Sequence, residues 1–154
     1  MATTPAPVTL HDEQTTMAAL LDVLRQEQQA LVNMTVETVE HTSTQKAALV
    51  ARMATLAEQR HRALAAAGHA PSEAGMEAWV ASAGAEWLPV WRELLEQTRQ
   101  AKELNRVNGL LINRHMAYTN GALAALRPAA QRSNVYGPTG LSVSGPAKRG
   151  FVVG

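Results

Sequence analysis

The chain has 154 residues, enough for one domain, and its formal net charge is +1 at pH 7. It contains no cysteine, which excludes both a disulfide framework and a metal site built from thiolates. The charge is uneven: from Arg127 onward there are four basic side chains and no acidic one. The part up to Leu126 therefore holds ten basic against thirteen acidic side chains, a net charge of −3 that argues against a nucleic-acid-binding body.

Few aromatic residues and many alanines favour close helix packing over a sheet core. The first fourteen residues lack the basic start and apolar core of a signal peptide. No apolar run approaches the roughly 20 residues that a membrane-spanning helix needs. These features agree with an all-helical protein of a reducing cytoplasm.

The first helix is expected to begin near Thr9, a plausible N-cap, after a flexible segment 1–9. It should weaken around Asn33 to Thr35, where Thr35 could cap a second helix. Because no Gly or Pro stands at this junction, one continuous or kinked helix is the alternative. The apolar stripe of the first helix has helical spacing and consists of Leu10, Met17, Leu20, Leu24 and Leu31.

The second helix is predicted to run to about Ala67, with Gly68 as its C′ residue. Residues 69–84 form a connector in which Pro71 is expected at the first position of a short helix after Ala70. Gly75 should weaken that short helix.

Residues 87–126 predict one long helix, with Pro89 tolerated in its first turn. At about 1.5 Å per residue it would run roughly 60 Å, so its apolar stripe needs partner helices from this chain, a second copy or a client. The seam follows alternating steps of three and four and contains Trp91, Leu94, Thr98, Ala101, Asn105, Asn108, Ile112, His115, Thr119, Ala122 and Leu126.

The middle of this seam is polar, and it contains Asn105, Asn108 and Gly109. One interpretation is that Gly109 permits close helix approach while the asparagines fix the register in a polar core layer. The other is a recognition notch for a client helix. The three tryptophans are most simply core anchors, with an interface cluster as the alternative.

No constellation of residues predicts catalysis, a cofactor or a metal ion. Glu58-x-x-His61 has the spacing used in di-iron bundles, but such a site needs a second copy and two further carboxylates. The histidines are scattered, and no phosphate-binding or nucleophile motif occurs.

Residues 129–154 are predicted to be a mostly disordered tail, since Gly, Pro and Ser leave little to bury. The exception is a small island at Val135, Tyr136 and Gly137.

Several stretches together resemble FlgN-type flagellar export chaperones. They are Gln45-Lys46-Ala-Ala-Leu49-Val50 with Leu56 and Gln59-Arg60, Leu104-Asn105-x-x-Asn108-Gly109-x-Leu111-Ile112, Ala122-Leu123-x-x-Leu126-x-Pro128, and Tyr136-Gly137-x-x-Gly140. The connector 69–84 and the residues after Leu141 depart from the family pattern.

The resemblance implies a non-enzymatic cytoplasmic chaperone without cofactors. Its clients would be hook-filament junction proteins, bound through their C-terminal helices before export. Further partners would be the cytoplasmic domain of the membrane-embedded export gate and the export ATPase complex, with no nucleic acid. Tyr136 and Gly137 would dock to the gate. The seam residues expected to bind client are Leu104, Asn105, Asn108, Gly109, Leu111, Ile112, Met116 and Leu123.

The expected fold is an elongated antiparallel helical bundle of three main helices and a short connector helix, with the chaperone domain at 10–128. A self-assembling coiled-coil adaptor is the competing hypothesis, and a helix-bundle metalloenzyme is a third. Monomer and homodimer both stay open.

Overall fold

The structure is a computed structural model that describes residues 7–83 and 85–127. In that part the helices follow each other as α1 (Pro7–Val32), α2 (Val36–Ala66), α3 (Glu73–Ala83) and α4 (Leu88–Leu126), with a 3₁₀ turn at Ala85–Trp87 before α4. No strand occurs among the described residues. The prediction of an all-α fold with three main helices and a short connector helix is confirmed. The chain divides into two compact units, residues 1–111 and 112–154.

The junction between the first two helices is a break, so α1 and α2 are separate. Met34 adopts a left-handed φ of 56°, and the N–H of Thr35 donates to the Ala30 carbonyl at 2.9 Å. The N–H of Met34 donates to the Leu31 carbonyl at 3.3 Å, which completes a Schellman motif. A left-handed C′ residue is usually Gly, so the presence of Met explains why the sequence left this break undecided.

The second helix ends at the predicted stop. Gly68 has a φ of +88°, and the N–H of His69 donates to the Leu64 carbonyl at 2.8 Å, the same motif with its usual residue. The helix boundaries elsewhere differ by a few residues from the predictions. The first helix begins at Pro7 rather than near Thr9.

The short helix α3 begins at Glu73, not at Pro71, because Ser72 caps it. The Ser72 hydroxyl accepts a hydrogen bond from the N–H of Gly75 at 3.2 Å. A Cβ on Gly75 would lie 1.7 Å from the carbonyl oxygen of Ala70. Gly75 is therefore required for the close approach of the loop to α3, rather than being only a weak helix former.

One hydrophobic core joins all four helices within residues 1–111. The predicted stripe of α1 is buried along its length, and Trp79 and Trp91 are core residues as predicted. Trp87 is half-buried and makes a tilted ring contact with His11, with centroids 5.4 Å apart. The buried core cluster consists of Leu10, Met17, Leu20, Leu21, Leu24, Leu64, Met76, Trp79, Val80, Trp91, Leu94 and Ala101.

Polar contacts establish the helix directions in this core. Glu13 meets Arg60 and Glu27 meets Lys46, so α1 and α2 are antiparallel. Gln14 of α1 donates to Glu93 at the start of α4. Contacts from Leu24 and Glu27 reach Asn108 farther along α4, so α1 and α4 run in the same direction. Side chains of α1 therefore contact both α2 and α4.

Candidate functional site

An apolar groove lies between α2 and α4 in the unit formed by residues 1–111, and α1 forms its floor. We call it the α2–α4 groove. It consists of two cavities of about 450 and 420 Å³ that share Met17, Val50, Met53 and Thr98, so they lie next to each other along the same helices. The remaining lining residues are Glu13, Leu20, Leu24, Lys46, Ala54, Ala57, Arg60, His61, Glu73, Trp91, Leu94, Leu95, Ala101, Lys102 and Asn105.

The walls of the groove follow from helical spacing. On α4 the lining positions Trp91, Leu95, Thr98, Lys102 and Asn105 alternate by four and three residues and so lie on one side of the helix. From Trp91 to Asn105 the helix rises about 21 Å at 1.5 Å per residue. The groove is therefore as long as about four turns of a helix.

The α2 wall presents apolar side chains to solvent. Val50 is 50% exposed, Met53 is half-buried and Ala54 is exposed. A contiguous apolar strip of this kind on a helix surface normally packs against a partner. The buried Leu56 and Leu64 of α2 do not line the groove. Val50, Met53 and Ala54 form a second apolar strip of α2, and this strip lines the groove.

Contacts between α2 and α4 close the groove at each end. At one end the Arg60 guanidinium stacks over the Trp91 ring, with its carbon 5.1 Å from the ring centroid. At the other end the Lys46 ammonium donates to Asn105 Oδ1 at 3.1 Å. The groove therefore has defined ends.

A buried ion pair supports the first end. Arg60 Nε donates to both carboxylate oxygens of Glu13, at 3.2 and 2.9 Å, and the Thr9 hydroxyl donates to the same carboxylate at 3.1 Å. Glu13 is fully buried. The indole N–H of Trp91 donates to Glu77 of α3 at 3.1 Å, so one polar chain links all four helices.

A second buried carboxylate, Glu27, supports the other end. Lys46 donates to it at 3.2 Å, and Asn108 Nδ2 donates to it and to the Leu24 carbonyl, both at 2.9 Å. Both Glu27 and Asn108 are fully buried. The Asn108 side chain therefore fixes the register of α4 on α1, although its Oδ1 accepts no hydrogen bond among the described residues.

These two carboxylates were not among the residues predicted from the sequence, although a signal for them existed. Glu13 and Glu27 occupy the same heptad line as the apolar stripe of α1, at the steps 10, 13, 17, 20, 24, 27 and 31. A carboxylate at such a position is buried only when it is paired. In an antiparallel hairpin of α1 and α2, the basic partner of each carboxylate lies at the same level on α2, and a search of the sequence could have looked for it there.

Gly109 does not have the packing role that one interpretation gave it. A Cβ placed there would meet nothing within 4 Å among the described residues, so none of the helices α1 to α3 requires the absence of a side chain. Asn105 is exposed and bound to Lys46, so only Asn108 belongs to a buried polar layer.

The structure separates the residues predicted to bind client by their exposure. Leu104, Gly109, Leu111 and Ile112 are half-buried. Met116 is 58% and Leu123 54% exposed. Asn108 is buried, so any part it has in client binding acts through the position of α4. Tyr136 and Gly137 lie outside the described residues, and all of these site assignments stay predictions.

The outer face of α4 is charged. Arg99 pairs with Glu96 and Arg106 with Glu103, each three residues apart. The hydrogen bond from Arg99, and then that from Gln100, lower the pKa of Glu96 to about 2. The hydrogen bond from Arg106 likewise lowers the pKa of Glu103. These pairs mark a solvated surface, away from the groove.

The Glu58-x-x-His61 spacing does not assemble a metal site in the described part of the chain. Glu58 pairs with Arg62, and no group of three or more potential ligands comes together among the described residues. No helix in the same residues is long and apolar enough to cross a membrane.

The family model described as FlgN protein matches residues 8–144. The chain belongs to the FlgN family. It is accordingly a flagellar export chaperone, as its motifs predicted. No curated protein and no solved structure matches it. For this FlgN protein the match includes the groove, the whole of α4 and the position of Tyr136.

Proposed function

We propose that this FlgN protein is a cytoplasmic, ATP-independent chaperone for hook-filament junction proteins. It binds their C-terminal helical segments, prevents premature assembly and delivers them to the flagellar type III export gate. The observation that supports the proposal most is the family match together with exposed apolar side chains along the last turns of α4.

These side chains lie on one face of α4. Met116, Leu123 and Leu126 are 58%, 54% and 82% exposed, and their spacing places them within an arc of about 80° at 100° per residue. Ile112 lies on the same face and is half-buried. An exposed apolar stripe on a helix suits an amphipathic partner helix, because apolar burial contributes about 25 cal/mol per Å².

The remaining predicted residues of α4 have supporting roles in this proposal. Leu111 extends the apolar surface, whereas Leu104 packs against the buried core cluster. Asn105 and Asn108 hold α4 against α2 and α1. Ordering the client offsets much of the apolar gain. A micromolar to nanomolar affinity is the expected result, because the client must later be released.

Calorimetry with a C-terminal fragment of a junction protein from the same genome tests client binding. The double variant Met116→Asp/Leu123→Asp should lose binding, because two charges would have to be buried in the complex. Ala117→Asp is the matched control, since Ala117 is exposed and lies about 100–120° around α4 from Met116 and Leu123. If the wild-type chain does not bind the fragment, or if the double variant binds like the control, the client assignment is wrong.

Delivery to the gate is assigned to Tyr136 and Gly137. An aromatic ring with a hydroxyl tip is a suitable small anchor, and Gly137-Pro138 suits a turn that presents it. Tyr136→Ala should weaken binding to the cytoplasmic domain of the gate while client affinity and melting temperature stay unchanged. If Tyr136→Ala binds the gate with normal affinity, the proposed docking role of Tyr136 is wrong. Binding of the export ATPase complex can be measured with the same variant.

The self-assembling adaptor predicts a different result. The exposed stripe of α4 would then pair with a second copy, and sedimentation would show a concentration-dependent dimer that Met116→Asp/Leu123→Asp dissociates.

A further inference from the structure

We infer that the α2–α4 groove is a second helix-binding site, which takes an amphipathic helix of about four turns from the client protein. The inference rests on the proposed function for the identity of the partner. It differs from that proposal in assigning binding to residues of α1 and α2 as well as α4, within the unit formed by residues 1–111. The bound helix would complete a four-helix arrangement with α1, α2 and α4.

The shape of the groove selects a helix. Its walls are two helices, its length is about four helical turns, and its lining is apolar or small between the two ends. A helix laid in such a channel inserts side chains at steps of three and four, as in other helix-in-groove complexes. The exposed Ala54 and the half-buried Ala57 leave room on the α2 wall for those side chains.

Gly109 supports a closely approaching partner. The lining positions of α4 end at Asn105, and the next step of four along the same line is Gly109. Glycine weakens a helix interior, and no contact in the described part of the chain requires it, since a Cβ would meet nothing within 4 Å there. A client helix that continues about one turn beyond the Lys46–Asn105 contact would pass over Gly109, where the missing side chain leaves room for its backbone.

The charges of the groove favour a client helix over a second copy of this chain. Lys102 lies at one end of the groove and Glu73 at the other, and neither forms an ion pair among the described residues. Among the described residues, the exposed apolar stripe of α4 is the continuous helical stripe that could enter the groove of a second copy, since Val32, Met34 and Val36 lie at the break between α1 and α2. Residues 112–127 contain Arg114, His115 and Arg127 and no acidic residue, so Lys102 would repel them. An acidic side chain on the bound helix would instead pair with Lys102.

The same charges set the direction of the bound helix. A negative charge stabilises a helix N-terminus and a positive charge stabilises its C-terminus. The N-terminus of the client helix should therefore lie at Glu73 and its C-terminus at Lys102. The bound helix then runs in the same direction as α1 and α4 and antiparallel to α2.

Two glycine-to-alanine substitutions distinguish an effect on client binding from an effect on stability. In the full chain, Gly109→Ala should raise the melting temperature, because Ala is the better helix former. It should also weaken binding of the junction-protein C-terminal fragment about tenfold, as a side chain overpacks the contact. Gly121→Ala is the matched control: Gly121 also has open space around it in α4, so the variant should gain stability without losing affinity.

A second pair of variants fills the groove from the α2 wall. Ala54→Trp should weaken fragment binding by about tenfold or more, while Ala48→Trp, on the opposite side of α2 and away from the lining, should not. Carbodiimide coupling should join Lys102 to a carboxylate in the C-terminal half of the bound fragment, located by mass spectrometry.

The outcomes distinguish this inference from the proposed function. If the wild-type chain does not bind the fragment, both are overturned. If it binds, and Met116→Asp/Leu123→Asp abolishes binding while Gly109→Ala and Ala54→Trp do not weaken it, the proposed function stands and the groove inference is overturned. If Ala54→Trp changes only self-association in sedimentation, the occupant is a second copy and the inference is also overturned.

Discussion

Replacement of Arg60 by Met should be among the most destabilising single changes in this FlgN protein. Arg60 reaches from α2 to the fully buried carboxylate of Glu13 and lies over the Trp91 ring. Its own side chain is only 9% exposed. Met keeps much of the apolar stem of the side chain, so the change isolates the loss of the charge and its hydrogen bonds.

The magnitude follows from the burial of the pair. Removing one partner of a buried ion pair costs about 3–5 kcal/mol, because the other charge stays desolvated without compensation. Loss of the cation–π contact adds about 0.5–1 kcal/mol. For a domain of this size each kcal/mol shifts the melting temperature by about 2–4 °C, so Arg60→Met should lower it by roughly 7–24 °C.

Urea unfolding followed by circular dichroism measures this change. Arg62→Met is the matched control in the same helix, because its pair with Glu58 is exposed and should contribute less than about 1 kcal/mol. The double variant Glu13→Leu/Arg60→Met should recover most of the lost stability, since no charge is then left buried. A loss below about 1 kcal/mol in the single variant would show that the pair is not desolvated as the structure indicates.

Four further changes test other features of the fold. Gly75→Ala should destabilise by about 1–3 kcal/mol in thermal unfolding, because its Cβ would collide with a backbone carbonyl; an unchanged midpoint would refute the close approach. Met34→Gly should raise the unfolding free energy by about 1 kcal/mol, since a left-handed residue other than Gly costs about 1–2 kcal/mol; a loss would mean that glycine's chain entropy dominates. Asn108→Leu should destabilise by about 1–3 kcal/mol in urea, because it removes a donor from a buried carboxylate, and a stabilised variant would contradict this. The lowered pKa of Glu96 contributes stability above pH 4.5 that is lost as pH falls through about 2. The difference in helicity between wild type and Glu96→Gln should therefore shrink over that range, and a constant difference would exclude the linkage.

The sequence predicted the helices well because helical periodicity and glycine stops are local signals. The stripe of α1, the end of α2 at Gly68 and the long α4 all depend on residues within a few turns of each other. The break at Met34 was left undecided because no glycine marks it. Its left-handed conformation is accompanied by backbone hydrogen bonds of Met34 and Thr35, which the sequence does not show. The cap of α3 was misplaced because Pro71 and Ser72 both suit a helix start and only the contacts decide between them.

The groove and its polar ends could not be predicted in the same way. Arg60 and Glu13 are 47 residues apart, and Asn108 and Glu27 are 81 residues apart. Their pairing depends on the relative heights of three helices, which the stripe of any one helix does not determine. The asparagines showed that the seam of α4 has a polar layer, but not that Asn108 is buried while Asn105 is exposed.

Stability alone does not explain the positions of the two ion pairs that Glu13 and Glu27 form with α2. Hydrophobic residues of similar volume at Glu13 and Arg60 would often be as stable or more so. What the pairs add is position: Arg60 and Lys46 each connect a carboxylate of α1 to a residue of α4, at the two ends of the groove. Helices α2 and α4 are thereby set by contacts at the ends, while the apolar walls between them stay available. Glu13→Leu/Arg60→Met removes this device without leaving a buried charge. Near-normal stability with lower client affinity in that variant would show that the polar residues define the binding groove.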